Sequence, residues 1–208
     1  MITIPKRYLV PGALAITVGL AAGIVYLASA SQSDDSGTVR SAEACNLLQS
    51  KPAISALNRV LPGQSAYSFD EGPVGSRSAE ASDSFSTSCF VRDDDNLLLS
   101  ARARMMMAEP RKTWESTVFE GDVSEEGRVT RFEAGIRGAA SADKAAAFVP
   151  CVPEGEIPGG SYNLSVVVDL KQRGELTEAQ ARKSLIDLTV SAASHAHKAA
   201  GCTLPARA

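Results

Sequence analysis

The residues best suited to covalent chemistry in this 208-residue sequence are its 4 cysteines. No two of them are closer than 44 residues, so they form neither a C-x-x-C redox pair nor a zinc-binding pattern. An even number of widely spaced cysteines in an exported chain usually forms disulfides. We therefore predict two disulfides among Cys45, Cys89, Cys151 and Cys202.

Sequence does not fix how these cysteines pair, because four cysteines can pair in three ways. We expect Cys45 to bond to Cys89 and Cys151 to bond to Cys202, since each bridge would then tie a helix end to a neighbouring strand. The other two pairings stay open. If a bridge acts on the entropy of the unfolded chain, each closed loop stabilises the fold by roughly 4 kcal/mol.

Other catalytic chemistry has few candidates. His195 and His197, the only histidines, would point about 200° apart on a helix and so cannot share a metal ion. No nucleophile elbow, Walker loop or H-E-x-x-H motif occurs, and none of the 24 acidic residues stands out as a catalytic pair. The run Asp93–Asp95 lacks the glycine and closing glutamate of a calcium loop. We predict no enzyme, no cofactor and no metal site.

An apolar run at residues 9–30 predicts on which side of a membrane the rest of the chain lies. It carries no charge and, as a helix, would be about 33 Å long, enough to cross a bilayer. Basic residues Lys6 and Arg7 precede it and acidic residues follow, so residues 1–8 should be cytoplasmic and the remainder extracytoplasmic. We predict a single-pass membrane anchor.

A cleaved signal peptide is the alternative, because Ala28-Ser29-Ala30 has the small-x-small form of a cleavage site. The chain would then be secreted after cleavage near Ala30. Ser31 stands where a bacterial lipoprotein would carry its lipidated cysteine, so lipid anchoring is not expected. Export is predicted in both cases.

Small residues within the run suggest self-association. Ala15, Gly19 and Gly23 are four residues apart, the small-xxx-small spacing that lets two membrane helices approach closely. This pattern would allow a homodimer through the transmembrane helix.

The charge balance excludes one class of partner. Only 2 of the 21 basic residues precede the apolar run, whereas all 24 acidic residues follow it, which gives residues 31–208 a net charge of −5. A mildly acidic domain is unsuited to nucleic acid or to an anionic lipid surface. We predict no nucleic-acid binding.

Hydrophobic patterns organise the exported part. Residues 31–42 are polar and predict a flexible tether, and residues 43–204 predict one α+β domain. Helical spacing or period-two alternation predicts each element of this domain. The elements expected in chain order are a helix at 52–61, a long loop at 70–84, a strand hairpin at 85–92 and 97–105, a short helix from Pro110 that buries Trp114, a strand at 130–136, a strand or alanine-rich helix end at 145–152, a strand at 162–170 and a helix at 178–200.

The closing helix has clear boundary signals. Thr177 and Gln180 form a capping-box pattern, and Gly201 suits a left-handed stop. A stripe of mostly small residues should pack this helix on the sheet. Its expected members are Ala181, Leu185, Leu188, Ala192, His195 and Ala199.

Three features form a recognisable layout: Cys45-Asn46-Leu47-Leu48, the strand of Cys89 with the strand after it, and the helix ending at Gly201-Cys202. This layout resembles a family of uncharacterised actinobacterial cell-envelope domains, some lipid-anchored, and is distantly similar to the extracellular sensor domains of certain membrane kinases. It implies an antiparallel sheet packed by helices and pinned by two disulfides, without an established ligand. Ser31 departs from the lipid-anchored members.

Anchor, tether and stapled domain together favour a non-enzymatic domain that binds an extracytoplasmic ligand or protein at the cell envelope. Two alternatives stay open. One is an envelope hydrolase that uses a pair of acidic residues. The other is a structural membrane protein that associates through Gly19 and Gly23.

Overall fold

The structure, a computed structural model, describes residues 37–64, 66–75, 85–120 and 129–206. The predicted tail, anchor and helix-packing residues Ala15, Gly19 and Gly23 lie outside the described residues. In the ranges that are described, none of the helices combines the length and the apolarity needed to cross a bilayer.

Seven antiparallel strands and three helices make up the described part of the chain, as the α+β prediction requires. A short 3₁₀ turn, Asn46–Leu48, precedes the first helix. The helices are α1 (Lys51–Val60), α2 (Arg111–Val118) and α3 (Glu178–Ala199). The strands are β1 (Ser68–Glu71), β2 (Ser86–Asp93), β3 (Asn96–Met107), β4 (Thr130–Glu133), β5 (Arg137–Ala140), β6 (Lys144–Val152) and β7 (Tyr162–Leu170).

The sheet consists of two meanders that meet at its centre. Its strand order is β1-β2-β3-β7-β6-β5-β4, so β1–β3 form one half and β4–β7 the other. The central pair runs from Leu99 opposite Leu170 to Met107 opposite Tyr162. Alternate residues of these strands face opposite sides, and one side carries the main core.

Helices α1 and α3 cover the core side of the sheet. They pack against each other, and Arg59 of α1 lies 3.0 Å from the carboxylate of Asp187 on α3. Helix α3 crosses β6, β7 and β3, and Thr189 donates a hydrogen bond to the carbonyl of Ala145 on β6. The predicted capping box of Thr177 and Gln180 is present.

The predicted stripe of α3 is wrong in its last two turns. The first four members, Ala181, Leu185, Leu188 and Ala192, are buried as expected. His195 is half-buried and Ala199 is exposed. Ala193 and Ala196 take the inward positions instead. The buried positions Ala181, Leu185, Thr189 and Ala193 are four residues apart, more than the 3.6 residues of one turn, so the buried face moves around the helix.

Helix α2 lies on the opposite side of the sheet. Its Trp114 is 1% exposed, as predicted for a core residue, and donates a 2.8 Å hydrogen bond from Nε1 to Ser165 Oγ on β7. Its ring centroid is 5.0 Å from that of Phe148 on β6. Ser165 alternates with core residues Leu164 and Val166, which places it on the other face.

Both disulfides join the cysteines that we expected to pair. Cys45 bonds to Cys89, and Cys151 bonds to Cys202, with Cα–Cα distances of 5.8 and 4.4 Å. Cys45 precedes the 3₁₀ turn and Cys202 follows α3, so each bridge links an end of the helical layer to a strand. Thr203 N also donates to Cys151 O at 2.9 Å.

Two strand predictions need correction. Residues 70–71, expected to begin a loop, belong to β1, and Glu71 pairs with Cys89. The strand expected at 130–136 is a hairpin, because the chain turns at Gly135, whose φ is +75°, and returns as β5. Glycine reaches this conformation without steric cost, so the alternating pattern ends there. The segment at 145–152 is a strand, β6.

Part of the predicted tether contacts the domain. Val39 is 2% exposed, its N–H donates to Asn58 Oδ1 at 2.8 Å, and its carbonyl accepts from Asn58 Nδ2 at 3.1 Å. The chain is therefore attached to α1 at Val39, since its burial and two hydrogen bonds offset the cost of ordering it. Residues 31–36 lie outside the described range.

Peptide mapping without reduction tests the covalent framework. Proteolysis of the unreduced chain should release one linked pair of peptides containing Cys45 and Cys89, and another containing Cys151 and Cys202. Mass spectrometry identifies them. A peptide that joins Cys45 to Cys202, or four free thiols, would contradict the framework.

The Trp114 contact predicts a second result. Ser165→Ala leaves the buried indole N–H without an acceptor and should lower the free energy of unfolding by about 1–3 kcal/mol. Urea unfolding followed by the fluorescence of the single tryptophan measures this. Ser194→Ala is the matched control, because Ser194 is exposed and bonds only to Val190 O of its own helix; its effect should stay within about 0.5 kcal/mol. Equal effects of the two substitutions would show that Ser165 does not hold the tryptophan.

Candidate functional site

The two histidines of α3 lie in different surroundings. His197 Nε2 is 2.8 Å from the carbonyl oxygen of Leu204, so this ring holds the chain that follows the helix. His195 is half-buried and lines a cleft together with Asn46 and Glu71. The helix thus directs the two rings to separate parts of the domain.

The aspartate run forms the turn between β2 and β3. Asp93 pairs with Asn96 at the end of the hairpin, and Asp94 has φ +49°, a left-handed conformation that aspartate tolerates. Within residues 37–64, 66–75, 85–120 and 129–206, no three histidine, cysteine or acidic side chains are grouped closely enough to hold a metal ion. The run serves to close the hairpin.

A cleft between α2 and β4 contains the carboxylates Glu115 and Glu120. Glu115 accepts hydrogen bonds from Arg131 Nε at 3.1 and 3.0 Å on its two oxygens. This hydrogen bond and the charge of Glu115 raise the pKa of Arg131 above its ordinary value. The Glu115 carboxylate is therefore held in an ion pair on the surface.

On the side of the sheet opposite α1 and α3, the described residues cover only a part of the surface. Helix α2 packs over β6 and β7 through Trp114, whereas Arg102 and Arg104 of β3 are exposed. Alternation places them away from the buried Ala101 and Ala103. We define the arginine patch as the outward side chains of β2 and β3 in this region. Its members are Ser86, Ser88, Phe90, Arg102, Arg104 and Met106.

Strand pairing fixes the geometry of the arginine patch. Arg104 lies directly opposite Ser86, and Arg102 lies opposite Ser88. Alternate residues of a strand are about 7 Å apart, so the two arginines project side by side at that spacing. The guanidinium carbon of Arg102 is 5.6 Å from the centroid of the Phe90 ring, a cation–π distance.

Several charged residues near the arginine patch form ion pairs with one another. Arg92 Nε lies 3.1 Å from Asp70, and Asp169 lies 3.7 Å from Lys144 and 3.9 Å from Lys171. Among the described residues, no carboxylate forms an ion pair with Arg102 or Arg104. Both arginines are exposed, and each guanidinium group has five N–H donors with which it can bind an acceptor.

Both arginines lie within the predicted strand at 97–105, but no functional role was expected for them. A strand pattern shows which residues share a face, but it does not show whether a helix covers that face. The available signal was two arginines at alternate positions, with serines rather than acidic residues on the neighbouring strand.

Comparisons with known proteins return nothing: no family model, no curated protein and no solved structure matches the chain. The resemblance to actinobacterial envelope domains therefore stays a prediction from sequence.

The contact between Phe90 and Arg102 predicts a measurable coupling. In a double-mutant cycle with Phe90→Leu and Arg102→Gln, the interaction free energy should be about 0.5–1 kcal/mol, as expected for an exposed cation–π pair. Urea unfolding of the four proteins measures it. The control is a cycle that combines Phe90→Leu with Arg104→Gln, in which the interaction free energy should be less than about 0.3 kcal/mol. Equal couplings in the two cycles would contradict the geometry of the arginine patch.

Proposed function

We propose that this chain is anchored in the membrane by residues 9–30 and exposes an extracytoplasmic domain that binds a partner at the cell envelope without catalysing a reaction. The observation that carries the proposal is the arginine patch. It combines the exposed guanidinium groups of Arg102 and Arg104 with the half-buried side chains of Phe90 and Met106 on one face of the β-sheet. Arginine, methionine and aromatic residues are the side chains enriched in recognition surfaces.

The disulfides support the extracytoplasmic location. All 4 cysteines take part in the two bridges, and such structural bridges persist in oxidising compartments rather than in the cytosol. The apolar run at residues 9–30 and the basic residues before it supply the route and the orientation.

The hydrolase alternative is less favoured than binding. It needs two carboxylates, one of which can take up or release a proton. Glu115, in the cleft between α2 and β4, is instead held by Arg131 at 3.0 Å. The scaffold alternative, self-association through Gly19 and Gly23, gives no role to the arginine patch.

Site-specific photocrosslinking tests binding in the cells that produce the protein. Benzoylphenylalanine in place of Met106 puts the crosslinker on the arginine patch, and the same residue in place of Ser194 puts it on the exposed side of α3. Irradiation of full-length protein in intact cells should give an adduct with another envelope component at Met106. The protein with the crosslinker at Ser194 should give little or no adduct, because that position lies outside the arginine patch and reports only random collisions.

Denaturing electrophoresis and mass spectrometry report the adducts. Adducts of equal yield at both positions, or their absence at Met106, would contradict binding through the arginine patch. Recovery of the protein with reduced cysteines from the cytosolic fraction would contradict the location.

A further inference from the structure

The arginine patch carries a net positive charge, and no carboxylate of residues 37–64, 66–75, 85–120 or 129–206 forms an ion pair with it. Some other arginines of the described residues have carboxylate partners, as Arg59 has Asp187 and Arg92 has Asp70, whereas Arg111 donates to the carbonyl of Gly138. Arg102 and Arg104 have none among the described residues, although the exported part of the chain has an excess of acidic residues. A ligand that complements this surface must therefore supply negative charge.

The chemistry of the arginine patch favours protein as the partner. Neither lysine nor glutamate occurs among the outward residues of β2 and β3 at this patch, whereas two arginines, Phe90 and Met106 do. Depletion of lysine and glutamate with enrichment of arginine, methionine and aromatic residues distinguishes protein interfaces from the rest of a surface. A purely ionic site for a polyanion would not need the apolar side chains.

The spacing of the arginines suits an extended segment. Arg102 and Arg104 are about 7 Å apart, and side chains at alternate positions of an extended peptide repeat at the same distance. Each guanidinium can bind one carboxylate through two parallel hydrogen bonds. The contact of Arg102 with Phe90 restrains one of the two groups before binding, which lowers the entropy that binding must remove.

A second copy of the same surface is unsuitable. In a symmetric dimer the same patch meets itself, which would set Arg102 and Arg104 against their own counterparts. Like charges opposed in an interface cost free energy and select against that arrangement.

We propose, on the basis of the binding function above, that the arginine patch binds an acidic segment of a different protein. The segment lies extended across β2 and β3, with two carboxylates at alternate positions, one on Arg102 and one on Arg104. Its apolar side chains contact Phe90 and Met106.

The test adds charge changes to the crosslinking protein with benzoylphenylalanine at Met106. Arg102→Glu with Arg104→Glu should lower the adduct yield at least about tenfold, the scale of an interface arginine that carries binding energy. Arg173→Glu, which reverses one positive charge at an exposed position in the loop before α3, should change the yield by less than about twofold, whereas Arg102→Glu alone, the same change in net charge, should lower it more. Arg102→Lys with Arg104→Lys keeps the charge but loses the paired hydrogen bonds. Its adduct yield should lie between that of the double glutamate variant and that of the Arg173→Glu control.

The crosslinked peptide identifies the chemistry of the partner. Mass spectrometry should place the adduct on a protein segment with aspartate or glutamate at alternate positions. An adduct on a glycan or a lipid, on a segment without acidic residues, or in undiminished yield with both charges reversed would overturn the inference but leave binding by the patch in place. Absence of any adduct at Met106 would overturn the binding function as well.

Discussion

The two disulfides are the constraint on which the arrangement of the layers depends. Cys45 ties the start of the helical layer to β2, and Cys202 ties its end to β6. The bridges close separations of 44 and 51 residues, which is worth about 4 kcal/mol each if they act on the unfolded chain. A domain is typically stable by only about 5–15 kcal/mol. Since both strand cysteines belong to the main core, α1 and α3 are held on that side.

Because the two long helices pack on one side, α2 is the helix of the described residues that covers the other side. A helix of 8 residues is about 12 Å long, enough to cover two or three strands at a spacing of roughly 4.8 Å. The bond of Trp114 to Ser165 fixes α2 over the half of the sheet built from β6 and β7. The arginine patch lies on the other half of the sheet, which α2 does not reach.

Sequence patterns predicted the parts of the fold in which periodicity and burial agree. Strand β7 has the predicted bounds, and α3 begins at the predicted residue, because alternating burial and a capping box mark them locally. Strand β1 was not predicted. Its last two residues, Asp70 and Glu71, begin a polar segment with the composition of a loop, and their pairing with β2 is not visible in the sequence. The hairpin at Gly135 was not predicted. The alternation of residue types continues through the turn, so the sequence pattern does not show where the chain reverses. The site was predicted least, because exposure of Arg102 and Arg104 depends on where α2 packs.

Peroxide oxidation of neighbouring methionines tests the two-sided sheet most directly. Met105 is 2% exposed on the core side, whereas Met106 is on the opposite side and less buried, and Met107 at the strand end is 59% exposed. Exposed methionine is converted to the sulfoxide, and mass spectrometry locates the added oxygen. In the folded, unreduced protein, Met106 and Met107 should be oxidised while Met105 is spared, and reduction with unfolding should make all three react. Oxidation of Met105 at the rate of Met106 in the folded protein would contradict a sheet sealed on one side and open on the other.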